Sequence, residues 1–136
     1  VADGVTPLHS AEELYATCHV VSLHIPATAE TKGSINYALL AHMPKGGLLV
    51  NTARKEVINE DELIQFMQER QDFRYVTDIM PAADQKMNEL FEGRYFSTPK
   101  KMGAQTAEAN INAGIAAAKQ IVDFVENGVR RFQVNK

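Results

Sequence analysis

The chain has 136 residues, 45% hydrophobic and 23% charged, with a net charge of −3 at neutral pH. That length suffices to bury one core, and the slight acidity weighs against nucleic acid or an anionic membrane as a partner. A single cysteine, Cys18, excludes an internal disulfide and fits a reducing, cytoplasmic setting; no apolar run approaches the roughly 18–20 residues of a membrane span, and no signal-peptide pattern opens the chain.

In chain order, Ser10 and Glu13 form a capping box, which predicts a short helix carrying Leu14. "CHVVSLHIP" (18–26) reads as a compact apolar strand stopped by Pro26. "TKGSINYALLAHM" (31–43) places Ile35, Leu39, Leu40 and Met43 on one helical stripe, broken by Pro44 and Gly47. "LLVNTAR" (48–54) is a second apolar strand. Asn59 and Glu62 form another capping box, whose helix should bury Leu63, Phe66 and Met67. "FRYVTDI" (73–79) and "RYFST" (94–98) complete the strands. The last helix should run from Thr106 to Asn127, with Ile111, Ile115, Ala118, Val122 and Val125 in one stripe and Gly128 as a left-handed stop. Such a helix is on the order of 30 Å long at 1.5 Å per residue. That is long for strands of about five residues, so part of its stripe should pack elsewhere.

Strands alternating with helices, and strands without polar alternation, predict an α/β fold with a parallel sheet covered on both faces. Ligands in such sheets bind beyond the carboxyl ends of the strands. Those ends carry His24, Ile25 and Pro26, then Asn51–Arg54, Asp78, and a corner with Lys100, Lys101 and Gly103. Arg54 suits bidentate binding of a carboxylate or phosphate, or else bridges to helix acids such as Glu60. Asp78 suits an amide ligand, or else caps the following helix. A histidine such as His24 is more often a satisfied core residue than a catalyst, and the four histidines share no metal-ligand spacing. Lys100 and Lys101 repel each other, which lowers a lysine pKa toward general-base use; the alternative is a solvated pair. No G-x-G-x-x-G occurs, so the phosphate cradle of a dinucleotide site is missing from these residues.

These strand ends, in this order, resemble the D-isomer-specific 2-hydroxyacid dehydrogenases. "CHVVSLHIPATAETKGSIN" looks like the family's strand–proline signature, and "MPKGGLLVNTARKEVINEDEL" is similar to its N-x-A-R block. "YVTDIMP" matches the strand ending in the aspartate near the nicotinamide, and "STPKKMGAQTAEA" matches a block that usually reads P-H-x-G-A. The resemblance implies the second half of a Rossmann-like, NAD-binding domain (1–103), followed by a long C-terminal helix and tail (104–136) that return toward a substrate domain. The first half, with its glycine loop and ribose-binding acid, would precede Val1. By matching position, Arg54 would bind the substrate carboxylate. Ile25, Pro26, Thr52, Ala53, Asp78 and Gly103 would line the cofactor site, with Arg54 also at its rim. No metal is implied. NAD would accept the hydride as a 2-hydroxy acid becomes a 2-oxo acid.

Two departures accompany the match. The histidine of the P-H-x-G-A block is replaced: counting back from Gly103 gives Lys101, and counting forward from Pro99 gives Lys100. The family's catalytic glutamate position is Ala83, with Asp84 as the nearest acid. That glutamate raises an imidazole pKa, whereas a lysine titrates near ~10.4 and needs lowering, which a carboxylate opposes. The paired loss is a retuned acid–base group, and a lysine-using subgroup of phosphoglycerate dehydrogenases shows it. The expectation is therefore oxidation of a phosphorylated 2-hydroxy acid, 3-phosphoglycerate, in serine biosynthesis, with Lys101 as base and Lys100 as its neighbour. The isolated residues are expected to be inactive and, through the exposed stripe of the last helix, to form a homo-oligomer. The rival reading is a non-catalytic, NAD(H)-sensing interaction module.

Overall fold

The computed structural model describes residues 4–99 and 106–133, which fall into two compact units divided between residues 100 and 101. The first unit opens with α1 (Ala11–Thr17), whose N-terminus is capped by Ser10: its hydroxyl accepts from the Glu13 N–H at 3.1 Å. Glu13 reaches back one residue further than a standard capping box, to the His9 N–H at 2.9 Å. Then follow β1 (Val20–Leu23), α2 (Tyr37–Leu40), β2 (Leu48–Asn51), a 3-10 turn (Lys55–Val57), α3 (Glu60–Glu69), β3 (Arg74–Thr77), α4 (Asp84–Leu90) and β4 (Tyr95–Ser97).

The four strands are all parallel and lie in chain order, β1-β2-β3-β4. Val21, Leu23, Leu49, Tyr75 and Tyr95 point to one face, where they meet Tyr15 of α1, Leu40 of α2, Leu63, Phe66 and Met67 of α3, and Met87 of α4. Phe66 anchors this layer, with Phe73 and Tyr37 edge-on at 5.0 and 5.6 Å between ring centroids. Full burial of a side chain of this size contributes roughly 1.5–3 kcal/mol. Within the first unit, among the described residues, the opposite face is not covered as the unbroken apolar strands suggested: Val20 and Phe96 are both 58% exposed. Alternation is present in burial but not in polarity, because Val50, Val76 and Phe96 occupy the open face.

The expected helix over 31–43 is reduced to the single turn of α2. Gly33 takes φ +66°, Ile35 forms an extended bridge to Ile58, and Asn36 caps the turn through the Leu39 N–H at 2.9 Å. Leu40 and Met43 are nonetheless buried, so the stripe was correct in what it buries and wrong in the backbone that presents it. Helix α4 carries no sequence signal at its start: its N-cap, Ala83, has no capping side chain. Glu60 of α3 supplies one, accepting from the N–H groups of Ala82 and Ala83, both at 3.1 Å.

The second unit holds α5 (Ala107–Asn127), 21 residues long. Thr106 caps it through the Ala109 N–H at 3.1 Å, and Gly128, at φ +64°, ends it with bonds back to Phe124 and Asp123. Its predicted stripe, including Ile111, Ile115, Val122 and Val125, is exposed. No helix among the described residues is long and apolar enough to cross a membrane.

Candidate active site

At the carboxyl end of β2, Asn51 is fully buried and both ends of its amide are used. Its Oδ1 accepts from the Ala53 N–H at 3.0 Å, and its Nδ2 donates to the Arg54 carbonyl at 3.1 Å. This side-chain-closed turn fixes the path of Thr52, Ala53 and Arg54. Beside it, the loop after β1 is closed by Thr28 and Thr31, with Thr31 Oγ1 donating to the Pro26 carbonyl at 2.6 Å. Backbone bonds from Gly33 to Glu56 and from Ile35 to Val57 hold the two loops together.

Between them lies a cleft of about 500 Å³ lined by His24, Ile25, Pro26, Ala27, Thr52, Ala53 and Arg54. It gathers five of the expected site residues: Ile25, Pro26, Thr52, Ala53 and Arg54. The Arg54 side chain is exposed and donates to the neighbouring Ala53 carbonyl at 2.9 Å. It does not bridge to Glu60, whose carboxylate caps α4; the sole ion pair among the described residues is Arg70–Asp72. His24 is exposed and bonded to Ser22 Oγ at 2.9 Å, so it is not a core histidine. A second cleft, of about 480 Å³, opens between α1, β1 and α2 and shares only His24 and Ile25 with the first.

Asp78 follows β3, and its N–H continues the ladder to the Asn51 carbonyl at 3.2 Å. Its Oδ1 is buried without a hydrogen-bond partner. Capping α4 is not its role, since Glu60 does that. An orphaned carboxylate oxygen at the carboxyl end of the sheet suits the amide of a nicotinamide, whose N–H would satisfy it. The cleft's walls, Ile25, Pro26 and Ala53, fit the ring. Asp84, by contrast, is occupied: it accepts from the Tyr95 hydroxyl at 2.6 Å and from Asn88 at 3.1 Å. Burial, and then this bond to Asp84, push the Tyr95 hydroxyl pKa up. Lys100, Lys101 and Gly103 lie outside the described residues. The sequence reading passed over Asn51 and Glu60 as positioning groups, and over Thr98, whose Oγ1 is also buried and unpartnered.

Comparison with known proteins gives a consistent result. Residues 2–99 match the family described as D-isomer specific 2-hydroxyacid dehydrogenase, NAD binding domain. The chain is 35% identical over 134 residues to a D-3-phosphoglycerate dehydrogenase of Haemophilus influenzae, covering 94% of this chain and 32% of the relative. It is 51% identical to an NAD+-bound 3-phosphoglycerate dehydrogenase of Entamoeba histolytica in a crystal structure, with a TM-score of 0.80 over 98% of this chain and 45% of that one. The holo D-mandelate dehydrogenase of Rhodotorula graminis follows at 27% identity and a TM-score of 0.69, over 86% of this chain and 34% of that one. The chain thus spans a third to under half of these relatives. It belongs to the D-isomer-specific 2-hydroxyacid dehydrogenase family, through the domain that binds NAD.

Proposed function

We propose that these residues form the nicotinamide-side half of an NAD-dependent dehydrogenase that oxidises a D-2-hydroxy acid to a 2-oxo acid, specifically 3-phosphoglycerate to 3-phosphohydroxypyruvate. The observation that carries this is Arg54: a guanidinium at a strand end shaped by the Asn51 turn, exposed at the cleft, with no carboxylate partner among the described residues. Two parallel N–H bonds from it would hold the substrate carboxylate and aim the hydroxyl-bearing carbon at the cleft. Ile25, Pro26 and Ala53 exclude water from the reacting face, and Asp78 orients the cofactor's amide. Bound NAD supplies the hydride acceptor.

Lys101 takes the hydroxyl proton, with Lys100 holding its pKa down by like-charge repulsion. The absence of an acid at Ala83, together with the engagement of Asp84 by Tyr95, supports a lysine base that no carboxylate raises. Lys55, one residue past Arg54, is a candidate for the substrate phosphate. The setting that goes with this reading is cytoplasmic serine biosynthesis by a homo-oligomer, supported by the lone Cys18 and the exposed stripe of α5. The 136 residues contain no phosphate cradle, so by themselves they should be inactive and show no micromolar NAD affinity by calorimetry.

In the full-length enzyme, Lys101→Met should abolish turnover of 3-phosphoglycerate while leaving NAD affinity within about twofold, since the base does not hold the cofactor. Wild-type turnover in that variant would overturn the assignment. Turnover lost in Lys100→Met alone would move the role to the other lysine.

A further inference from the structure

Tyrosines aside, the polar side chains buried among the described residues are Asn51 and Thr77, at 0% and 1% exposure. They end β2 and β3, pair with each other in the sheet register, and share a row with Leu23 of β1. Leu23 is 5% exposed and fills its place in that row without a polar atom. Packing at this level therefore does not call for an amide and a hydroxyl, and burying them costs free energy unless each is hydrogen-bonded. What the amide bonds to is the segment that lines the cleft with Thr52, Ala53 and Arg54.

Asn51 grips two backbone groups there, the Ala53 N–H at 3.0 Å and the Arg54 carbonyl at 3.1 Å. Between these two along the chain lies the Ala53 carbonyl, which accepts from Nη1 of Arg54 at 2.9 Å. The guanidinium thus rests on a carbonyl that the amide brackets from both sides. Thr77 fixes Asn51 in turn: its Oγ1 donates to the Asn51 carbonyl at 2.9 Å and accepts from the Ile79 N–H at 3.0 Å. The Asp78 N–H adds a second bond to the same Asn51 carbonyl, at 3.2 Å.

We propose that Asn51 and Thr77 form one positioning unit for substrate binding, Asn51 setting the direction of the Arg54 guanidinium through the backbone of residues 53 and 54, and Thr77 acting through Asn51. The inference rests on the reading of Arg54 as the carboxylate anchor given above. Two parallel bonds to a carboxylate need the guanidinium plane in one orientation, whereas charge attraction alone does not. Losing the grip therefore leaves the charge at the cleft and removes its aim. The donor end of the amide is the critical one. An ionised aspartate in place of Asn51 still accepts from the Ala53 N–H but has nothing to donate to the Arg54 carbonyl, and a serine hydroxyl is too short to hold both groups.

A double-mutant cycle on the full-length enzyme, read as kcat/KM for 3-phosphoglycerate, tests the unit. Asn51→Asp and Asn51→Ser should each lower kcat/KM about tenfold, and Thr77→Val about threefold, while Arg54 is present. In an Arg54→Lys background the same changes should each cost less than about twofold, because a lysine binds as a point charge and has no plane to aim. The serine variant carries no charge, which separates lost aim from an introduced carboxylate, and it carries the test should the buried aspartate fail to fold. Damage to packing alone would lower kcat/KM by the same factor in both backgrounds. That result, or wild-type kcat/KM in the Asn51 and Thr77 variants, overturns the positioning unit alone. Wild-type kcat/KM in Arg54→Lys itself overturns the carboxylate anchor and the positioning unit with it.

Discussion

The two ends of the sheet treat their polar groups in opposite ways. At the amino end, Arg70 donates to both oxygens of Asp72 at 3.0 and 2.8 Å and to the Met43 and Pro44 carbonyls. Asp72 also accepts from the Gly46 N–H at 2.7 Å. Arg94 lies over the Phe91 ring and reaches the carbonyls of Met67, Arg70 and Phe73 at 3.0, 3.2 and 3.4 Å. At the carboxyl end, Asn51 and Thr77 are buried and satisfied, yet one residue further on Asp78 and Thr98 carry orphaned oxygens, and Arg54 has no acid partner among the described residues. Arginines and aspartates occur at both ends, so residue type does not mark function. What marks it is which groups the fold leaves for something outside the chain.

The largest expected effect lies at the carboxyl end. Arg54→Lys in the full-length enzyme should lower kcat/KM about a hundredfold, because a lysine cannot reproduce two parallel bonds to a carboxylate, while the melting temperature stays unchanged. A lysine variant with wild-type kinetics would break the contrast. The mirror experiment is Arg94→Met, which keeps much of the stem but takes one donor from each of three carbonyls; urea unfolding should show a loss of about 2 kcal/mol. Unchanged stability there would mean that the amino end is not held as described.

Smaller still is the effect at Asp72. Its bonds from Arg70 first, and then from Gly46, hold its carboxyl below the usual carboxylate range. A folded pKa below the unfolded one stabilises fully above about pH 4 and loses that contribution as pH falls through the folded value. Asp72→Asn should therefore cost about 1 kcal/mol at neutral pH, given its exposed position, and the gap from wild type should close progressively below about pH 4. A gap that widens on acidification would reverse the sign. The smallest change in stability is expected from Asp78→Ala and Thr98→Val, within about 0.5 kcal/mol of wild type or slightly positive, because an orphaned oxygen contributes no bond within the chain. A loss as large as that of Arg94→Met would show that they are structural after all.

Features governed by nearby residues were legible in the sequence. The caps at Ser10 and Asn59, the start of the last helix at Thr106 and the stop at Gly128 were, because a side chain and the amides it serves lie within one turn of each other. The start of α4 was not, because its cap arrives from Glu60 on another helix. That same long-range bond removed both alternatives left open for Arg54 and Asp78: Glu60 is occupied, and α4 needs no other cap. The stripe at Ile35–Met43 misled because a bridge to Ile58 can bury the same side chains from an extended backbone. The open sheet face was invisible because its residues are as apolar as those of the covered face.

The strand order has a consequence for how this unit assembles. Because spatial order repeats chain order, each new strand can dock on the one just completed, and no pairing waits for a distant segment. Loop closure grows costlier with separation, so such a sheet can form by successive addition from β1 toward β4. Its growing edge is always the most recently made strand. The expected last step, docking of β4, also sets Thr98 beside Asp78, so the two orphaned oxygens come together only when the sheet is complete.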